Sequence, residues 1–399
     1  MQSISLLSSK SILALVALFS LTLSPLYAAD DVDGDNMVSS NEEIAAYIEH
    51  HVKDSHDFHL FSYASNGEEK HVGFPLPVIL LGENGLTTFM SSAFHHDDNA
   101  EVIVEKGGSR FVKHHSHIYE LNAGESTVQF DEAGHVTNAS KPLDLSITKS
   151  VFGILLVGIL MILAFTSLAR QYKSGKRLPT GFGRVLEPLV IYVRDEIARP
   201  NIGDKHYRRF TGYLLTVFFF IWILNLLGLT PFGFNVTGQL AVTGALAIFT
   251  LVIYVTQGNK DFWMHQIWMP GVPVLIRPLL GIIELAGTLL IKPFSLLVRL
   301  FANITAGHIV VMSLIAIMVS MRASMGAVGS TALAFVLSAF ITLIELLVAF
   351  LQAYIFTMLS ALFIGMAVQD HGHEAAHADD IDSEPEVIDD ELFTVRSNA

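Results

Sequence analysis

Long apolar stretches are the feature that most constrains how this chain can fold. Five of them follow residue 150, each at least eighteen residues long: 151–169, 212–229, 238–256, 279–320 and 331–368. A helix needs about 20 mostly apolar residues to cross a bilayer, and in hydrocarbon only helices and closed barrels satisfy their own backbone polar groups. Together with a hydrophobic content of 51%, these stretches predict an all-α polytopic membrane protein with about five membrane helices.

The last two stretches are about 40 residues long, roughly twice the length that an upright membrane helix requires. Each is therefore either a pair of short spans or one long helix that lies steeply tilted in the membrane. Break signals such as Lys292-Pro293 leave both possibilities open. An odd total number of spans favours two long, tilted helices.

The distribution of charge predicts the orientation of these helices. Residues 170–211 carry ten Lys or Arg against four acidic residues, and cytoplasmic loops are enriched in basic residues. This loop is therefore predicted to be cytoplasmic, which places the chain before residue 146 outside and the acidic tail 370–399 in the cytoplasm. Within the loop, residues 187–198 are predicted to form a short amphipathic helix on the membrane surface.

The N-terminal part of the chain has the pattern of an exported segment. Residues 1–29 contain a basic residue, a short apolar core and a final pair of small residues, as in a secretory signal peptide. We expect its removal, and a retained signal anchor is the alternative. Residues 30–145 then form a periplasmic extension without cysteine, so no disulfide stabilises it. Apolar alternation near 75–81 and 102–104 indicates some strands, in either a small folded domain or a partly ordered extension.

Eleven histidines in this extension raise the question of a metal site. Their spacing gives no clear ligand set, so surface or assembly roles are preferred. Asp31, Asp33, Asp35 and Glu42 fall at the positions of a calcium loop, but Asn36 replaces the glycine that such a loop has at position six. We therefore predict no metal and no cofactor. The net charge of −14 argues against nucleic acid as a partner.

Three ionisable side chains lie deep in the last two apolar stretches: Arg299, His308 and Glu345. A charged group near the centre of a membrane helix costs about 2.5 to 3.5 kcal/mol on insertion scales, so it needs a pairing or functional reason. Ser295, Arg299 and Asn303 are four residues apart, which predicts a polar, cationic stripe on one helix face. Because a guanidinium cannot lose its proton, Arg299 can stabilise a passing carboxylate but cannot relay a proton.

A second group of polar side chains is predicted nearer the outer surface. His308 follows Arg299 by nine residues, which places it on the opposite side of the helix and about 13 Å along the axis. Glu345 and Gln352 are seven residues apart on one helix face, and antiparallel packing makes contact between His308 and Glu345 feasible. Such a pair either passes protons, or its two side chains only neutralise each other's charge. On their own, Asn303 and Gln352 would more often serve helix packing.

The sequence around Arg299 resembles the signature of the ATP synthase a subunit. The match spans residues 293–308 and reads PFSLLVRLFANITAGH, and two further motifs, NLLGLTP at 225–231 and LQAYIF at 351–356, follow the order of the family. The resemblance covers roughly residues 146–369. It implies five membrane helices in a bacterial inner membrane, with the last two tilted against a rotating ring of c subunits.

The resemblance also implies roles for the polar residues. The arginine matched by Arg299 faces the ring and keeps the ring carboxylate ionised between two aqueous half-channels. His308 and Glu345 match a histidine and an acid of the half-channel that opens to the outside, while Asn303 and Gln352 match polar residues near the arginine.

On the cytoplasmic side, the proton path is expected to pass Ser295 and Glu284. Glu284 is matched to the acid of the cytoplasmic half-channel, although it lies one residue further from the arginine than the family pattern suggests. The chain is therefore expected to be a non-catalytic proton-channel stator subunit of a rotary ATP synthase. Its implied partners are the c ring, the b subunits and the peripheral F1 sector, within the lipid bilayer.

Two alternatives use the same residues differently. One is a secondary transporter that uses Glu345 for proton coupling, although the chain shows no internal repeat of the kind that many transporters have. The other is a membrane sensor whose exported domain binds a ligand. The coupling ion is expected to be H⁺ rather than Na⁺, but this choice depends mainly on ring residues that lie on another chain.

Overall fold

The computed structural model describes residues 54–65, 68–95, 97–122, 124–125, 128–131, 136–173, 179–230, 234–268 and 273–369. The predicted signal peptide, the calcium-like positions and the acidic tail lie outside these described residues. Among the described residues, strands and one short 3-10 helix, Ser91–Phe94, lie between residues 57 and 144, and helices follow from residue 149 onwards.

Within its described residues the extension contains a folded β domain, which favours the first of the two possibilities for this segment. Nine strands lie in its described residues: β1 Asp57–Ser65, β2 Glu68–Pro75, β3 Pro77–Gly82, β4 Gly85–Met90, β5 Val104–Lys106, β6 Ser109–His114, β7 His117–Leu121, β8 Ala139–Ser140 and β9 Leu143–Asp144. They form three antiparallel sheets with the strand orders β1-β2, β4-β3-β9 and β5-β6-β7-β8. The strands expected near 75–81 and 102–104 correspond to β3 and β5.

One face of the sheet β4-β3-β9 covers the core of the β domain. Because successive side chains of a strand point to opposite faces, Val78 and Leu80 of β3 both point inward and are fully buried. They pack with Phe94, Val104 and Phe111.

Aromatic side chains join the β domain to the membrane helices. Phe58 of β1 stacks on Phe74 of β2 with 4.6 Å between ring centroids. The Phe58 ring also lies 5.7 Å from Phe152 and 5.2 Å from Phe234, centroid to centroid. Phe58 is thereby part of the buried cluster that the membrane helices form, so the β domain packs directly on the end of the helix bundle.

The rest of the described chain is helical. The helices are α1 Lys149–Lys173, α2 Gly183–Tyr192, α3 Arg199–Ile202, α4 Tyr207–Gly228, α5 Leu240–Gln257, α6 Lys260–Ile267, α7 Arg277–Ala286, α8 Lys292–Ser320 and α9 Arg322–Val368. Two π-helical segments, Val193–Ala198 and Gly287–Ile291, connect α2 to α3 and α7 to α8. Five helical segments are long and apolar enough to cross a membrane: Lys149–Lys173, Tyr207–Gly228, Leu240–Gln257, Arg277–Gly307 and Val328–Val368. This confirms the predicted number of membrane helices.

The two long apolar stretches are long helices rather than pairs of short spans. The first runs from α7 through the π segment into α8, and Pro293 is accommodated at the start of α8. The second contains a span of 41 residues, which corresponds to about 60 Å of helix and so must tilt to fit a bilayer core of about 30 Å. The turn expected at 321–330 is shorter than predicted, because α9 begins at Arg322 and breaks only at Gly326, whose φ of 74° suits glycine.

The predicted amphipathic helix at 187–198 is helical in the structure. It comprises the end of α2 and the π segment that follows. Val193 and Ile197 are fully buried in the core of the helix bundle, whereas Ile191, Arg194 and Glu196 are exposed. Neighbouring helices therefore cover part of its apolar face, and its place on the membrane surface stays a prediction.

Helix α4 lies at the centre of the bundle. Its side chains Leu214, Phe218 and Ile221 are fully buried. They belong to one cluster with residues of the two long helices, namely Leu296, Leu300, Ala353 and Phe356. This packing holds α8 and α9 together and fixes which of their faces point away from the core.

Candidate functional site

The stripe of Ser295, Arg299 and Asn303 on α8 points away from the bundle core. Leu296 and Leu300, on the other face of the same helix, are each 1% exposed, whereas Ser295 and Asn303 are exposed and Arg299 is half-buried. Within the described part of the chain, the Arg299 guanidinium has no hydrogen bond or salt bridge. The chain itself therefore leaves a polar, cationic stripe open on the face of a membrane helix.

The Glu345 side chain of α9 lies against α8 at Gly307. A methyl group at this position would lie 2.5 Å from Oε1 of Glu345, so a larger residue would require the carboxylate to shift. His308 directly follows Gly307 on α8. The carboxylate therefore lies against the residue that precedes His308, and contact between the His308 and Glu345 side chains stays a prediction.

Gln352 is buried, two turns of α9 beyond the half-buried Glu345. Near it, the Asn225 side chain of α4 donates a hydrogen bond of 3.2 Å to the carbonyl of Ala349 on α9. The Asn225 amide oxygen accepts a hydrogen bond of 2.8 Å from the Thr237 hydroxyl. A buried polar contact thus connects α4, α9 and the α4–α5 loop.

Glu284, Thr288 and Lys292 form a polar group around the π segment between α7 and α8. The Lys292 ammonium donates a hydrogen bond of 3.1 Å to the Thr288 hydroxyl, which donates one of 3.1 Å to Oε1 of Gln266. The Lys292 ammonium also lies 5.6 Å above the centre of the Phe363 ring, and Glu284 interacts with it electrostatically. Glu284 therefore sits beside a cation, separate from the contact of Gly307 and Glu345.

The predicted site residues thus fall into three places on the helices. Ser295, Arg299 and Asn303 share the open stripe of α8, as predicted. Glu345 contacts the glycine next to His308. Glu284 lies in the polar group at the start of the long helical run.

Two features were missed by the sequence reasoning. Asn225 was noted only as part of a motif, although an amide inside an apolar stretch is itself a signal of a polar contact between helices. The bond between Gln266 and Thr288 had no recognisable signal, because it depends on how α6 packs beside the π segment. Among the described residues no group of three His or acidic side chains is arranged to hold a metal ion.

The comparisons with known proteins agree with this arrangement. The family described as "ATP synthase A chain" matches residues 151–365, which include every residue of the three places above. A second family, described as a domain of unknown function (DUF8433), matches residues 47–145 and thus the β domain.

Several curated relatives are similar over most of their length. "ATP synthase subunit a" of Chlorobium phaeobacteroides (strain BS1) is 41% identical over 336 residues, covering 77% of this chain and 93% of the relative. "ATP synthase subunit a" of Pelodictyon phaeoclathratiforme is 38% identical over 327 residues, covering 75% of this chain and 92% of the relative. "ATP synthase subunit a 2" of Chlorobaculum tepidum is 42% identical over 258 residues, covering 59% of this chain and 69% of the relative.

These relatives favour the ATP synthase function over the secondary transporter and the sensor. Five apolar helices, a cationic stripe on the fourth and a family match across more than half of the chain point to one conclusion. This multi-pass membrane chain belongs to the ATP synthase A chain family.

Proposed function

We propose that this chain is the proton-channel stator subunit of a rotary F-type ATP synthase, which couples proton flow to ATP synthesis in the peripheral sector. The observation that carries the proposal is the open stripe around Arg299. A charge on a membrane helix without a partner in the described chain is costly. Its partner is then supplied by another chain, and a carboxylate on a ring of c subunits meets that requirement.

Arg299 acts in this proposal as a fixed positive barrier. A nearby positive charge favours the ionised form of a carboxylate, so each ring carboxylate that passes Arg299 must give up its proton. Because the guanidinium keeps its own proton, it cannot carry protons across the barrier. Protons therefore leave the ring on one side of Arg299 and enter it on the other.

Two aqueous paths lead to this barrier in the proposed mechanism. The outer path passes Glu345, His308 and Gln352, where the close approach of α8 and α9 places a carboxylate beside the residue preceding His308. The inner path passes Ser295 and Glu284 on the cytoplasmic side. Asn303 lies one turn beyond Arg299 on the open stripe, and we assign it to the polar surface that faces the ring.

The chain is proposed to do no bond chemistry of its own. Its partners are the c ring, the b subunits and the peripheral F1 sector, and its place is the bacterial inner membrane. We propose that the β domain lies in the periplasm and residues 370–399 in the cytoplasm, and the ten basic residues of 170–211 and the five spans support this orientation.

The test is ATP-driven proton pumping by the complete complex in inverted membrane vesicles. We expect Arg299→Ala to abolish pumping while the complex still assembles, because the ring carboxylate loses its barrier. His308→Ala is expected to impair pumping without abolishing it. Arg170→Ala is the matched control, since Arg170 is an exposed cation at the end of α1, and it should pump as the wild type does.

Coupled pumping by an assembled Arg299→Ala complex would contradict the mechanism. The same vesicles also address the coupling ion. Pumping that proceeds equally with and without Na⁺ is expected for a proton-driven motor, whereas a strict requirement for Na⁺ would show that the ring carries Na⁺.

A further inference from the structure

We propose that the outer face of the sheet β4-β3-β9 lies against the lipid bilayer, at the boundary of headgroups and acyl chains. The β domain would then bind the membrane at a second place, outside the five spans. This inference does not depend on the proton path.

The outer face of this sheet is apolar across all three strands. Leu86 of β4 pairs with Leu81 of β3, which pairs in turn with Leu143 of β9. These three leucines therefore form a row across the sheet, and they are 65%, 44% and 59% exposed respectively. Met90 and Leu145 continue the same face and are also exposed.

Such a face is unusual for an antiparallel sheet, which commonly has one face on a core and a polar face in water. The inner face of this sheet is already used, because Val78 and Leu80 pack in the core of the β domain. On the outer face, Thr88 is the polar residue among the strand residues described there, and none of those residues carries a charge. Contiguous exposed apolar patches of this kind mark protein or membrane contacts.

The position of the sheet favours lipid as the partner. β9 ends at Asp144, and the first membrane helix begins at Lys149. The amide of Lys149 donates a hydrogen bond of 2.9 Å to the carbonyl of Ser55, and the amide of Ser150 donates one of 2.9 Å to Oδ1 of Asp54. Because these bonds fix the domain to the start of α1, the sheet is held close to the bilayer surface.

Exposed apolar side chains also continue along the chain from β9 into α1. Leu143 and Leu145 precede the helix, and Val151, Leu155 and Ile159 continue the series of exposed apolar side chains along it. The exposed side of α1 belongs to a membrane span. A shallow contact of the sheet with the membrane adds a second apolar surface beside the lipid-facing side of α1.

A second copy of the chain is a poorer partner for this face. β3 and β4 are each about 20 Å long and β9 has two residues, so strands spaced about 4.8 Å apart present roughly 220 Å² here. A stable protein interface buries about 800 Å² on each partner. The described face also has no charged side chain that could select one particular protein partner. Binding to a lipid surface requires only apolar area.

The absence of cysteine from the chain permits a direct test with single-cysteine variants. Leu86→Cys, Leu143→Cys and Met90→Cys are each labelled with an environment-sensitive fluorophore in the full chain, assembled in its complex. The vesicles contain phosphatidylethanolamine, phosphatidylglycerol and a lipid with a spin-label quencher near the headgroup. Lys106→Cys is the matched control, because Lys106 is exposed on β5 of a different sheet.

We expect the shallow lipid quencher to reduce the fluorescence at the three sheet positions about twofold more than at Lys106→Cys, as insertion of about 5 to 10 Å would require. Iodide in the water should quench Lys106→Cys more strongly. Equal iodide quenching at all four positions, without lipid quenching, would overturn the proposal. Protection from both quenchers would also overturn it, since a protein segment or subunit would then cover the face.

Discussion

At the scale of single residues, Gly307 leaves space on α8 for the Glu345 carboxylate of α9. An added methyl group at this position would lie 2.5 Å from Oε1 of Glu345, so Gly307→Ala must displace the carboxylate. A displacement of about 1 Å in a reacting geometry has large effects on rate. We therefore expect Gly307→Ala to lower the rate of ATP-driven proton pumping on the order of tenfold, with normal assembly.

The matched control for this change is Gly158→Ala on α1. A methyl group there meets no atom within 4 Å, so pumping should be unaffected. A further variant, Gly307→Ala with Glu345→Asp, should recover part of the activity, because the shorter acid leaves space for the methyl group. Full activity of Gly307→Ala alone would show that the position of the carboxylate does not limit pumping.

Asn225 and Asn303 are two membrane asparagines with different predicted roles. Asn225 is buried and bonds to Ala349 and Thr237, whereas Asn303 is exposed on the open stripe. Hydrogen bonds between membrane helices contribute about 0.6 to 1.7 kcal/mol. We expect Asn225→Ala to lower the free energy of unfolding in micelles by this amount and Asn303→Ala to leave it unchanged.

Proton pumping should show the opposite order for the matched pair. Asn303→Ala is expected to slow pumping by the assembled complex, because it removes a polar group from the stripe that we propose to face the ring. The assignment of the two roles would fail if Asn303→Ala destabilised the chain as much as Asn225→Ala does.

At the scale of elements, β9 is joined to the segment before β1 by a hydrogen-bonded pair outside the membrane spans. Nε2 of the buried His56 lies 2.8 Å from Oδ2 of Asp144. Burial opposes ionisation of Asp144, but hydrogen bonds from the His56 ring and from Ser146 outweigh this effect and lower the pKa of Asp144 to about 2. The carboxylate is therefore more acidic in the folded domain than in the unfolded chain.

This lowered pKa predicts a dependence of stability on pH. The contribution of Asp144 is fully present above about pH 4 and is lost as the pH falls towards 2. Because a third of the Asp144 side chain is exposed, solvent screening reduces the contribution to about 1 kcal/mol. Asp144→Asn should lower the stability of the β domain by this amount at neutral pH, and the difference should vanish near pH 2.

Hydrogen exchange of the β3 and β9 amides in the full chain, corrected for intrinsic rates, measures this difference. Asp98→Asn provides a comparison for loss of an acid elsewhere in the domain. A constant difference between Asp144→Asn and the wild type from pH 7 to pH 2 would exclude Asp144 as the titrating group.

At the scale of the whole molecule, charge and span number predict the orientation of the chain in the membrane. Lys106 lies in the β domain and Arg208 at the start of α4, and both are exposed. We expect a membrane-impermeant thiol reagent to label Lys106→Cys from the outside of intact spheroplasts. Arg208→Cys should react only in inverted vesicles. Because the chain has no cysteine of its own, the unmodified protein is the control, and labelling in the reverse order would contradict the predicted topology.

Much of the membrane fold could be predicted from the sequence, because the requirement that a span be apolar leaves a strong and local signal. The number of spans, the long fourth and fifth helices and the stripe of Ser295, Arg299 and Asn303 all follow from patterns within single segments. Arg299, His308 and Glu345 could also be recognised from single segments, because placing a charged group in hydrocarbon has a high free-energy cost.

Features that depend on contacts between distant segments were decided only by the tertiary structure. The contact of Gly307 with Glu345, the bond from Asn225 to Ala349 and the bond from Thr288 to Gln266 each depend on how helices pack. The apolar face of the sheet β4-β3-β9 belongs to the same class, because strand register decides which leucines meet in one row. The sequence by itself determined which segments enter the membrane, since that choice rests on the transfer free energy of each segment. Packing between segments determined which residues share a site.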